Sequence, residues 1–292
     1  MQVFHEVEEY RKTWMQWRKA GEVIGFIPTM GCLHDGHMSL VKAAKQKCTK
    51  IVVSVFVNPS QFSPDEDYDA YPRTIDNDVE LLKQNGVDAV FVPSVNTMYP
   101  SGITMDVNKQ EGAFVEVLGV SHQMEGQFRP HFFRGVCTVV CKLFNIVRPD
   151  KTFFGQKDIQ QTVVLRRMVR DLFLPIEFNV VPIYRQEDGL AMSSRNRYLS
   201  DEQRKTACVF SQALNKAKEL FDKGVRDRTS IIKIATDTIE ANKNVRLEYL
   251  SLAHPTTLDE LETVGEDGAI LSGAMYVGTT RLIDNITLGF SF

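Results

Sequence analysis

The stretch of sequence that decides the fold is VIGFIPTMGCLHDGH, residues 23–37. Its first part is apolar and predicts a buried strand that Pro28 ends. After His37, apolar residues recur at helical spacing between Leu40 and Ala44. The segment therefore predicts a strand that turns directly into a helix, which is the repeating unit of open α/β sheets.

The turn between that strand and that helix has the residues of an anion site. Gly31 and Gly36 allow close backbone approach, and a helix start favours negative charge. His34 and His37 are three residues apart and should share one side of the first helical turn. Two imidazoles at a helix start indicate phosphate chemistry. A purely structural turn remains an alternative. A metal site is disfavoured, because two histidines with only Asp35 between them make a poor set of metal ligands.

Outward from this segment, short apolar runs alternate with helical patterns up to about residue 181. Such alternation predicts a doubly wound parallel sheet of the Rossmann type, with ligands at the carboxyl ends of the strands. The predicted strands cover residues 51–57, 89–92, 152–154 and 176–181, and the predicted helices cover residues 75–85, 136–147 and 158–173.

The pattern changes towards the C-terminus and predicts a second, smaller α+β domain. We expect one domain over residues 1–184 and another over residues 185–292, with the boundary falling between 182 and 200. The predicted elements of the second domain are helices over 201–223 and 229–242, followed by strands over 245–252, 269–277 and 280–286.

Polar residues follow or flank several of these elements. Asn58 and Gln61 come directly after a buried strand and could hydrogen-bond a small polar substrate, although Asn58-Pro59 is also a common turn. Asp78 lies in the first turn of a predicted helix, where a dipole partner is the usual role and a magnesium ligand the rarer one. Arg129 precedes another helix, and its guanidinium suits a carboxylate or phosphate.

Two further segments carry positive charge at turns. Lys157 follows an apolar strand and Gly155, so a second strand-to-helix turn places a cation where a phosphate could bind. Ser193, Ser194 and Arg195 combine hydroxyls with a guanidinium, which suits a leaving pyrophosphate. A capped helix start and a solvated basic linker remain the structural alternatives for these two segments.

Composition narrows the function classes. The chain has 292 residues, 43% of them hydrophobic, and a formal net charge of −3, which gives no electrostatic footprint for nucleic acid or an anionic membrane. The polar N-terminus predicts no signal peptide, and no apolar run reaches the length of a membrane span. An odd number of cysteines, five, favours a reducing cytoplasm over a disulfide framework.

Residues 28–37 resemble the His-x-Gly-His signature of the nucleotidyltransferase superfamily, which includes the class I aminoacyl-tRNA synthetases. Further segments resemble the pantothenate synthetase family in the same order along essentially the whole chain. Those segments are residues 28–37, 56–62, 71–74, 134–150, 154–161, 189–199 and 281–285.

The resemblance implies a two-step reaction. The carboxylate of pantoate attacks the α-phosphate of ATP to form pantoyl adenylate and pyrophosphate, and β-alanine then displaces AMP to form pantothenate. It further implies ATP with Mg²⁺, no tightly bound organic cofactor, no nucleic-acid or membrane partner, a homodimer, a cytoplasmic location and a C-terminal domain that closes over the site.

The resemblance also implies roles for individual residues. The catalytic residues would be His37, His34 and Lys157. The magnesium-ligand role of Asp78 comes only from its position in a first helical turn, where it is the rarer role. Pantoate and β-alanine would contact Gln61, Gln161, Asn58 and Arg129. ATP would contact Met30, Gly31, Cys32, Leu33, His34, Asp35, Gly36, His37, Gly155, Gln156, Lys157, Asp158, Tyr184, Met192, Ser193, Ser194 and Arg195.

The chain departs from the pattern of that family at several positions. Phe132 stands where many members have a functional histidine, and His131 stands where they have glycine. Gln156 replaces a frequent glutamate, and Tyr184 replaces a small aliphatic residue. Two alternatives stay open: another adenylate-forming or nucleotidyl-transferring enzyme of the superfamily, such as a cytidylyltransferase, and a non-catalytic α/β ligand-binding protein.

Overall fold

The computed structural model describes residues 1–63, 66 and 68–292, which divide into two compact units. The first unit comprises Met1–Phe154 and Val164–Val181, and the second comprises Gly155–Val163 and Pro182–Phe292. The second unit thus takes up one short segment from within the N-terminal part of the sequence.

Strands connected by one or more helices make up the chain through residue 181. In chain order they are β1 (Gln2–Phe4), α1 (Val7–Lys19), β2 (Ile24–Thr29), α2 (Asp35–Lys45), β3 (Lys50–Val55), α3 (Ile75–Gln84), β4 (Ala89–Phe91), α4 (Val95–Met98), α5 (Glu125–Phe128), α6 (Phe132–Val147), β5 (Lys151–Gly155), α7 (Ile159–Asp171) and β6 (Glu177–Val181). The six strands form one parallel sheet in the order β1-β4-β3-β2-β5-β6. The predicted Rossmann-like sheet is confirmed, while β1, α1, α4 and α5 were not predicted from the sequence.

The prediction that Pro28 ends its strand is wrong, because β2 continues to Thr29. Pro28 lies beside Ser54 of β3, whereas β2 pairs with β5 only at Gly25 and Phe26. Alternate residues of a strand direct their N–H groups to opposite neighbours. Thr29 accepts a hydrogen bond from the chain just after β3, so the imide nitrogen of Pro28 faces the other side, where β5 no longer pairs and no donor is required.

The core on one side of the sheet explains why the two central strands form. β-Branched residues of β2 and β3 are buried there against the apolar face of α2. Strands that are covered on both faces have continuous apolar sequences, as these two strands do. The residues in this core include Ile27, Leu40, Val41, Ala44, Ile51, Val53 and Val90. The packing fixes where β2 ends and α2 begins, and hence the position of the loop between them.

The second unit packs three helices and an antiparallel sheet around its own core. Its elements are α8 (Asp201–Ala207), α9 (Val209–Asp222), α10 (Arg228–Glu240), β7 (Val245–Ala253), β8 (Ala269–Val277) and β9 (Thr280–Leu288). The sheet order is β7-β8-β9, and the buried residues of α9, α10 and β8 form one cluster. The predicted α+β architecture of this region is confirmed.

One predicted helix of this unit is two helices. The interval 201–223 was predicted as continuous, and the structure interrupts it at Cys208. Cys208 keeps a right-handed backbone with ψ of −17°, which is nearer to the 3-10 range than to the α-helical value, so the regular α-helical ladder is interrupted at this residue. In the part of the chain that the structure describes, no helix has both the length and the apolarity needed to cross a bilayer.

Candidate active site

The two histidines lie at the start of α2, as the spacing predicts. His34 is the residue that precedes the helix in extended conformation, and His37 belongs to its first turn. Their ring centroids are 4.1 Å apart with an angle of 37° between the planes. Two imidazoles therefore stand side by side at the positive end of an eleven-residue helix, where an anion is stabilised.

A backbone hydrogen bond sets the tautomer of His37. The N–H of His34 donates to Nδ1 of His37 at 3.3 Å. A ring nitrogen that accepts carries no proton, so in the neutral imidazole the proton is on Nε2. In the neutral ring of His37 the proton is therefore carried by Nε2, and an N–H donor is the kind of group that a phosphate oxygen requires.

The loop that precedes the histidines is held by one buried carboxylate. The backbone N–H groups of Cys32 and Leu33 donate to Asp78 Oδ2 and Oδ1 at 2.9 and 2.8 Å, and the hydroxyl of Thr74 donates to Oδ1 at 3.1 Å. Cys32 has a φ of +52°, a conformation that side-chain-bearing residues seldom adopt without such support. Gly31, with a φ of +87°, leaves no room for a side chain beside Asp78 and Val55.

This placement bears on the predicted magnesium role of Asp78. Its side chain is 2% exposed, and both oxygens already accept hydrogen bonds from the loop and from the residue before α3. Over residues 1–63, 66 and 68–292, no group of three or more His, Cys, Asp or Glu side chains could hold a metal ion. The structure gives Asp78 a positioning role in the loop, and we propose no metal contact for it.

Asn58 is placed in the interior rather than towards a ligand. The residue is 1% exposed, and its Nδ2 donates to Gln61 Oε1 at 3.0 Å and to the carbonyl of Gly135 at 3.2 Å. Its Oδ1 accepts from the Tyr99 hydroxyl at 2.6 Å. Asn58 therefore uses its side chain to hold the Pro59–Gln61 turn against α6, and its effect on a substrate would be exerted through Gln61.

Tyr99 belongs to the same network, and the sequence did not indicate this role. Burial raises the pKa of Tyr99 to about 12, so the hydroxyl stays protonated and remains a donor to Asn58 at neutral pH. The hydroxyl of Ser60 lies 2.8 Å from the same group. Nothing in the sequence near Tyr99 indicates this role, because its partners lie about forty residues earlier in the chain.

Gln61 and Met30, both predicted to contact substrates, lie together in the first unit. Gln61 Nε2 donates to the thioether sulfur of Met30 at 2.9 Å. A thioether is a weak acceptor, so a carboxylate or hydroxyl of a substrate would compete with it easily for that amide. The pair thus leaves Gln61 oriented by Asn58 and still able to bind a small polar molecule.

Arg129 is engaged by carboxylates of the chain itself. Its Nε and one terminal nitrogen donate to the two oxygens of Glu66, both at 2.7 Å, and its other terminal nitrogen lies 3.6 Å from Glu125. The guanidinium also lies 3.9 Å from the ring centroid of Phe132. Phe132, one of the departures from the family pattern, therefore supports Arg129, whereas His131 is exposed with a φ of +74°.

Lys157 belongs to the second unit, in a one-turn 3-10 segment, Gln156–Asp158, between β5 and α7. Its ammonium group lies 3.7 Å from Asp158 Oδ1, and its side chain is partly exposed. Gln161 lies in the first turn of α7 and belongs, like Lys157, to the stretch Gly155–Val163 of the second unit. The predicted grouping of Gly155, Gln156, Lys157 and Asp158 at a strand-to-helix turn is what the structure shows.

The basic loop of the second unit is ordered by its own backbone contacts. The N–H of Met192 donates to the carbonyl of Tyr184 at 3.0 Å, which brings together two residues predicted to border ATP. Ser193 Oγ accepts from the N–H of Arg195 at 3.3 Å and begins a 3-10 turn over Ser194–Tyr198. Ser193, Ser194 and Arg195 are all partly buried.

Comparison with known proteins covers both units of the chain. The sequence pattern of the family described as pantoate-beta-alanine ligase matches residues 2–287. The chain belongs to the pantoate–β-alanine ligase family. It has pantoate–β-alanine ligase activity that forms pantothenate, and it is an ATP-dependent ligase. The resemblance to pantothenate synthetases is thereby confirmed.

Individual members of the ligase family match the chain end to end. A pantothenate synthetase of Chloroflexus aurantiacus is 50% identical over 285 residues, covering 98% of this chain and 97% of that protein. One of Pelotomaculum thermopropionicum is 46% identical over 289 residues, covering 99% of both.

Solved structures of the ligase family share the fold. A crystal structure of pantothenate synthetase from Thermus thermophilus matches with a TM-score of 0.88 and 42% identity, covering 98% of this chain and 99% of that one. The pantoate–β-alanine ligase of Francisella tularensis, solved with Beta-gamma ATP and Beta-alanine, matches with a TM-score of 0.79 and 30% identity, covering 100% of this chain and 99% of that one.

Proposed function

We propose that the ligase works through a pantoyl adenylate, with the residues described above in separate roles. A carboxylate oxygen of pantoate attacks the α-phosphorus of ATP, and the bond to the β-phosphate oxygen breaks to release pyrophosphate. The amine of β-alanine then attacks the acyl carbon, loses a proton and displaces AMP as the amide forms. The Francisella tularensis relative, solved with ATP-like and β-alanine ligands, supports these substrates.

The observation that carries this proposal is the hydrogen bond from His34 N–H to His37 Nδ1. With Nδ1 accepting that bond, the ring proton of His37 is on Nε2, at the N-terminus of α2 where the helix dipole favours a phosphate. A donor that is fixed before the reaction stabilises charge that grows on the α-phosphate oxygens in the transition state. We assign His34 a second contact to the same phosphate, since the two rings lie 4.1 Å apart.

Lys157 and the segment Ser193–Arg195 are proposed to bind the β- and γ-phosphates. Their ammonium, hydroxyl and guanidinium groups are suited to a pyrophosphate whose negative charge increases as it leaves. Mg²⁺ enters with ATP as part of the substrate. The described residues include no acidic cluster that would hold it alone, and Mg²⁺ usually retains waters and binds phosphate oxygens.

Pantoate is proposed to bind through Gln61 and Gln161. Gln61 Nε2 can exchange its weak thioether partner for a substrate oxygen while Asn58 holds its Oε1. Arg129 could bind the carboxylate of pantoate only by releasing Glu66, because Nε and one terminal nitrogen of Arg129 already donate to the two oxygens of Glu66.

The reaction is tested by isotope exchange between pyrophosphate and ATP. Exchange should require pantoate and no β-alanine, whereas AMP release should require both. Exchange supported by another hydroxy acid from a small panel, but not by pantoate, would contradict the assignment and favour a different adenylate-forming enzyme.

Variants test the residue roles. His37→Ala and Lys157→Ala should each lower the exchange rate by about a hundredfold or more, as expected for groups that stabilise transition-state charge. Both proteins should stay folded by circular dichroism. His122→Ala, at an exposed histidine, is the control and should keep the wild-type rate.

A homodimer is proposed from the family resemblance, and a cytoplasmic location from that resemblance together with the five cysteines of the chain. Light scattering coupled to gel filtration should give twice the chain mass of 33.2 kDa. A monomer at micromolar concentration with full activity would contradict the dimer without affecting the reaction.

A further inference from the structure

Asn285 is a buried polar residue of β9 that the mechanism above does not use. It is 1% exposed, and its Nδ2 donates to two successive backbone carbonyls, those of Gln156 and Lys157, both at 2.9 Å. Its Oδ1 accepts from Gln156 Nε2 at 3.3 Å. All the hydrogen-bonding groups of the Asn285 amide therefore face the turn that carries Lys157.

The geometry of these bonds determines the direction of the Lys157 side chain. The two carbonyls belong to the peptide groups on either side of the Lys157 Cα, and each peptide group is planar. Holding both planes fixes φ and ψ of Lys157 together, and hence the direction in which its Cα–Cβ bond leaves the backbone. A flexible four-carbon side chain reaches a phosphate reproducibly only if its starting direction is set.

The neighbouring residue, Asp284, holds the second phosphate-directed segment of the same unit. The residue is 4% exposed, and its carboxylate accepts hydrogen bonds from both terminal nitrogens of Arg185 at 2.7 and 2.9 Å. Arg185 also donates to the carbonyl of Gly189 at 3.2 Å and bridges in antiparallel fashion to Ala191. The chain then continues directly into Ser193–Arg195.

We infer that Asp284 and Asn285 form a positioning pair, in which Asn285 orients Lys157 and Asp284 orients the loop that leads to Ser193–Arg195. Neither residue touches the reacting atoms. Two consecutive residues of one strand thereby set the relative placement of the ammonium and guanidinium groups that we assign to the phosphates. This inference rests on the proposed function of Lys157.

Gln156 is part of this arrangement in a way that is specific to its amide. Its Nε2 donates a hydrogen bond to Asn285 Oδ1. An ionised glutamate has no side-chain proton and could not donate this bond. The amide at position 156 thus completes the pairing with Asn285 and keeps a second negative charge away from Lys157. Gln156→Glu should therefore weaken the hold of Asn285 on the turn.

The experiment is a double-mutant cycle between positions 285 and 157. Asn285→Ala should lower the pyrophosphate exchange rate by about tenfold to a hundredfold, the range found when supporting partners of functional groups are removed. The KM for β-alanine should stay unchanged. In a Lys157→Ala background, Asn285→Ala should cost no more than about twofold further, because its effect acts through Lys157. A full, additive loss in that background would overturn the inference.

Controls separate positioning from folding. Ser272→Ala removes another buried polar side chain, on β8 directly opposite Asn285, and should leave exchange and thermal stability unchanged because its hydroxyl has no partner among the described residues. If Asn285→Ala unfolds at the assay temperature, Gln156→Ala takes its place in the cycle and should show a smaller loss with the same non-additivity. Additivity there would also overturn the inference.

The outcomes for the two proposals are distinguishable. If Lys157→Ala itself exchanges pyrophosphate at the wild-type rate, the proposed function of Lys157 is wrong. If Lys157→Ala is impaired and folded Asn285→Ala is not, the function of Lys157 stands and only the positioning inference fails.

Discussion

Asp78 is a single residue that shapes the loop before the two histidines. A buried carboxylate is costly unless it is hydrogen-bonded, and here two backbone N–H groups and one hydroxyl supply the compensation. In return, the carboxylate satisfies donors of a loop whose Cys32 has a positive φ. The loop and the carboxylate therefore stabilise each other.

The first prediction concerns Asp78→Asn. The amide of asparagine offers one acceptor and turns two N–H donors towards a backbone that also donates, so one loop amide loses its partner. We expect a loss of about 1–3 kcal/mol in the free energy of unfolding, measured by urea denaturation. The exchange rate should fall as well, since His34 and His37 follow the displaced loop.

The control for this prediction is Asp76→Asn, at an exposed acidic residue of the same helix turn, which should change stability by less than about 0.5 kcal/mol. If Asp78 were instead a magnesium ligand, the Asp78→Asn protein would keep the stability of the wild type, and excess Mg²⁺ would restore its activity.

At this scale the sequence predicted the two histidines well, because their spacing and the following helical pattern are local. It could not reveal that Asp78 holds the loop, because the backbone partners Cys32 and Leu33 lie about forty-five residues earlier in the chain. The same holds for Asn58 and Arg129, which carry suitable functional groups but use them on Gln61 and Glu66. A sequence-level signal did exist for Asp284 and Asn285, as two polar residues inside an apolar strand.

At the scale of elements, α6 and the Pro59–Gln61 turn pack at backbone contact. A Cβ added to Gly135 would lie 2.2 Å from the carbonyl oxygen of Ser60 and 2.8 Å from the nitrogen of Gln61. Real atoms do not approach so closely, so a side chain at this position would push the turn, and Gln61 with it, away from the helix.

The second prediction is therefore that Gly135→Ala destabilises the protein despite its position in a helix. Alanine gains about 1 kcal/mol of helix propensity over glycine, but overpacking against a backbone typically costs about 1–3 kcal/mol and here wins. The KM for pantoate should rise as Gln61 moves. Gly265→Ala, with open space around its Cβ, is the matched control; a Gly135→Ala protein as stable as that variant would refute the contact.

The third prediction uses Tyr99, which ties the same turn to the region after α4. Burial raises its pKa from 10.0 to about 12, so the folded state binds the hydroxyl proton more tightly than the unfolded state. The stabilisation is thus fully present below pH 10 and is lost as the pH rises towards 12. Tyr99→Phe should lose about 1 kcal/mol at pH 8 and less at pH 11.

Urea denaturation at the two pH values measures this difference, with Tyr276→Phe on β8 as the control. An equal difference between wild type and Tyr99→Phe at both pH values would show that the hydroxyl proton does not contribute as stated.

Most elements of the fold could be predicted because their apolar patterns are strong. The interval 269–277 was predicted with the bounds that β8 has, since most of its residues are apolar. The errors lie where tertiary context decides. Pro28 continues a strand because the pairing of β2 with β5 stops at Phe26, and Cys208 interrupts a helix whose apolar pattern does not change. The three-residue β1 is too short to show a period.

At the scale of the whole molecule, the residues assigned to ATP are distributed over two units, each with its own hydrophobic core. The histidines and Gln61 belong to the first unit, whereas Lys157 and Ser193–Arg195 belong to the second. The sequence pattern places residues 155–163 in the first domain because they follow β5 directly. The hydrogen bonds from Asn285 explain why this segment belongs with the second unit.

The fourth prediction follows from that distribution. Because ligand binding stabilises whichever groups it contacts, ATP with pantoate should slow amide hydrogen exchange in both units. Peptides covering residues 29–37 and peptides covering residues 155–161 and 192–197 should gain protection, whereas α10, which carries none of the assigned residues, should not. In Lys157→Ala, protection of residues 155–161 should fall more than protection of residues 29–37. If one of these groups of peptides gains no protection in the wild-type protein, the ATP contacts assigned to that group are wrong.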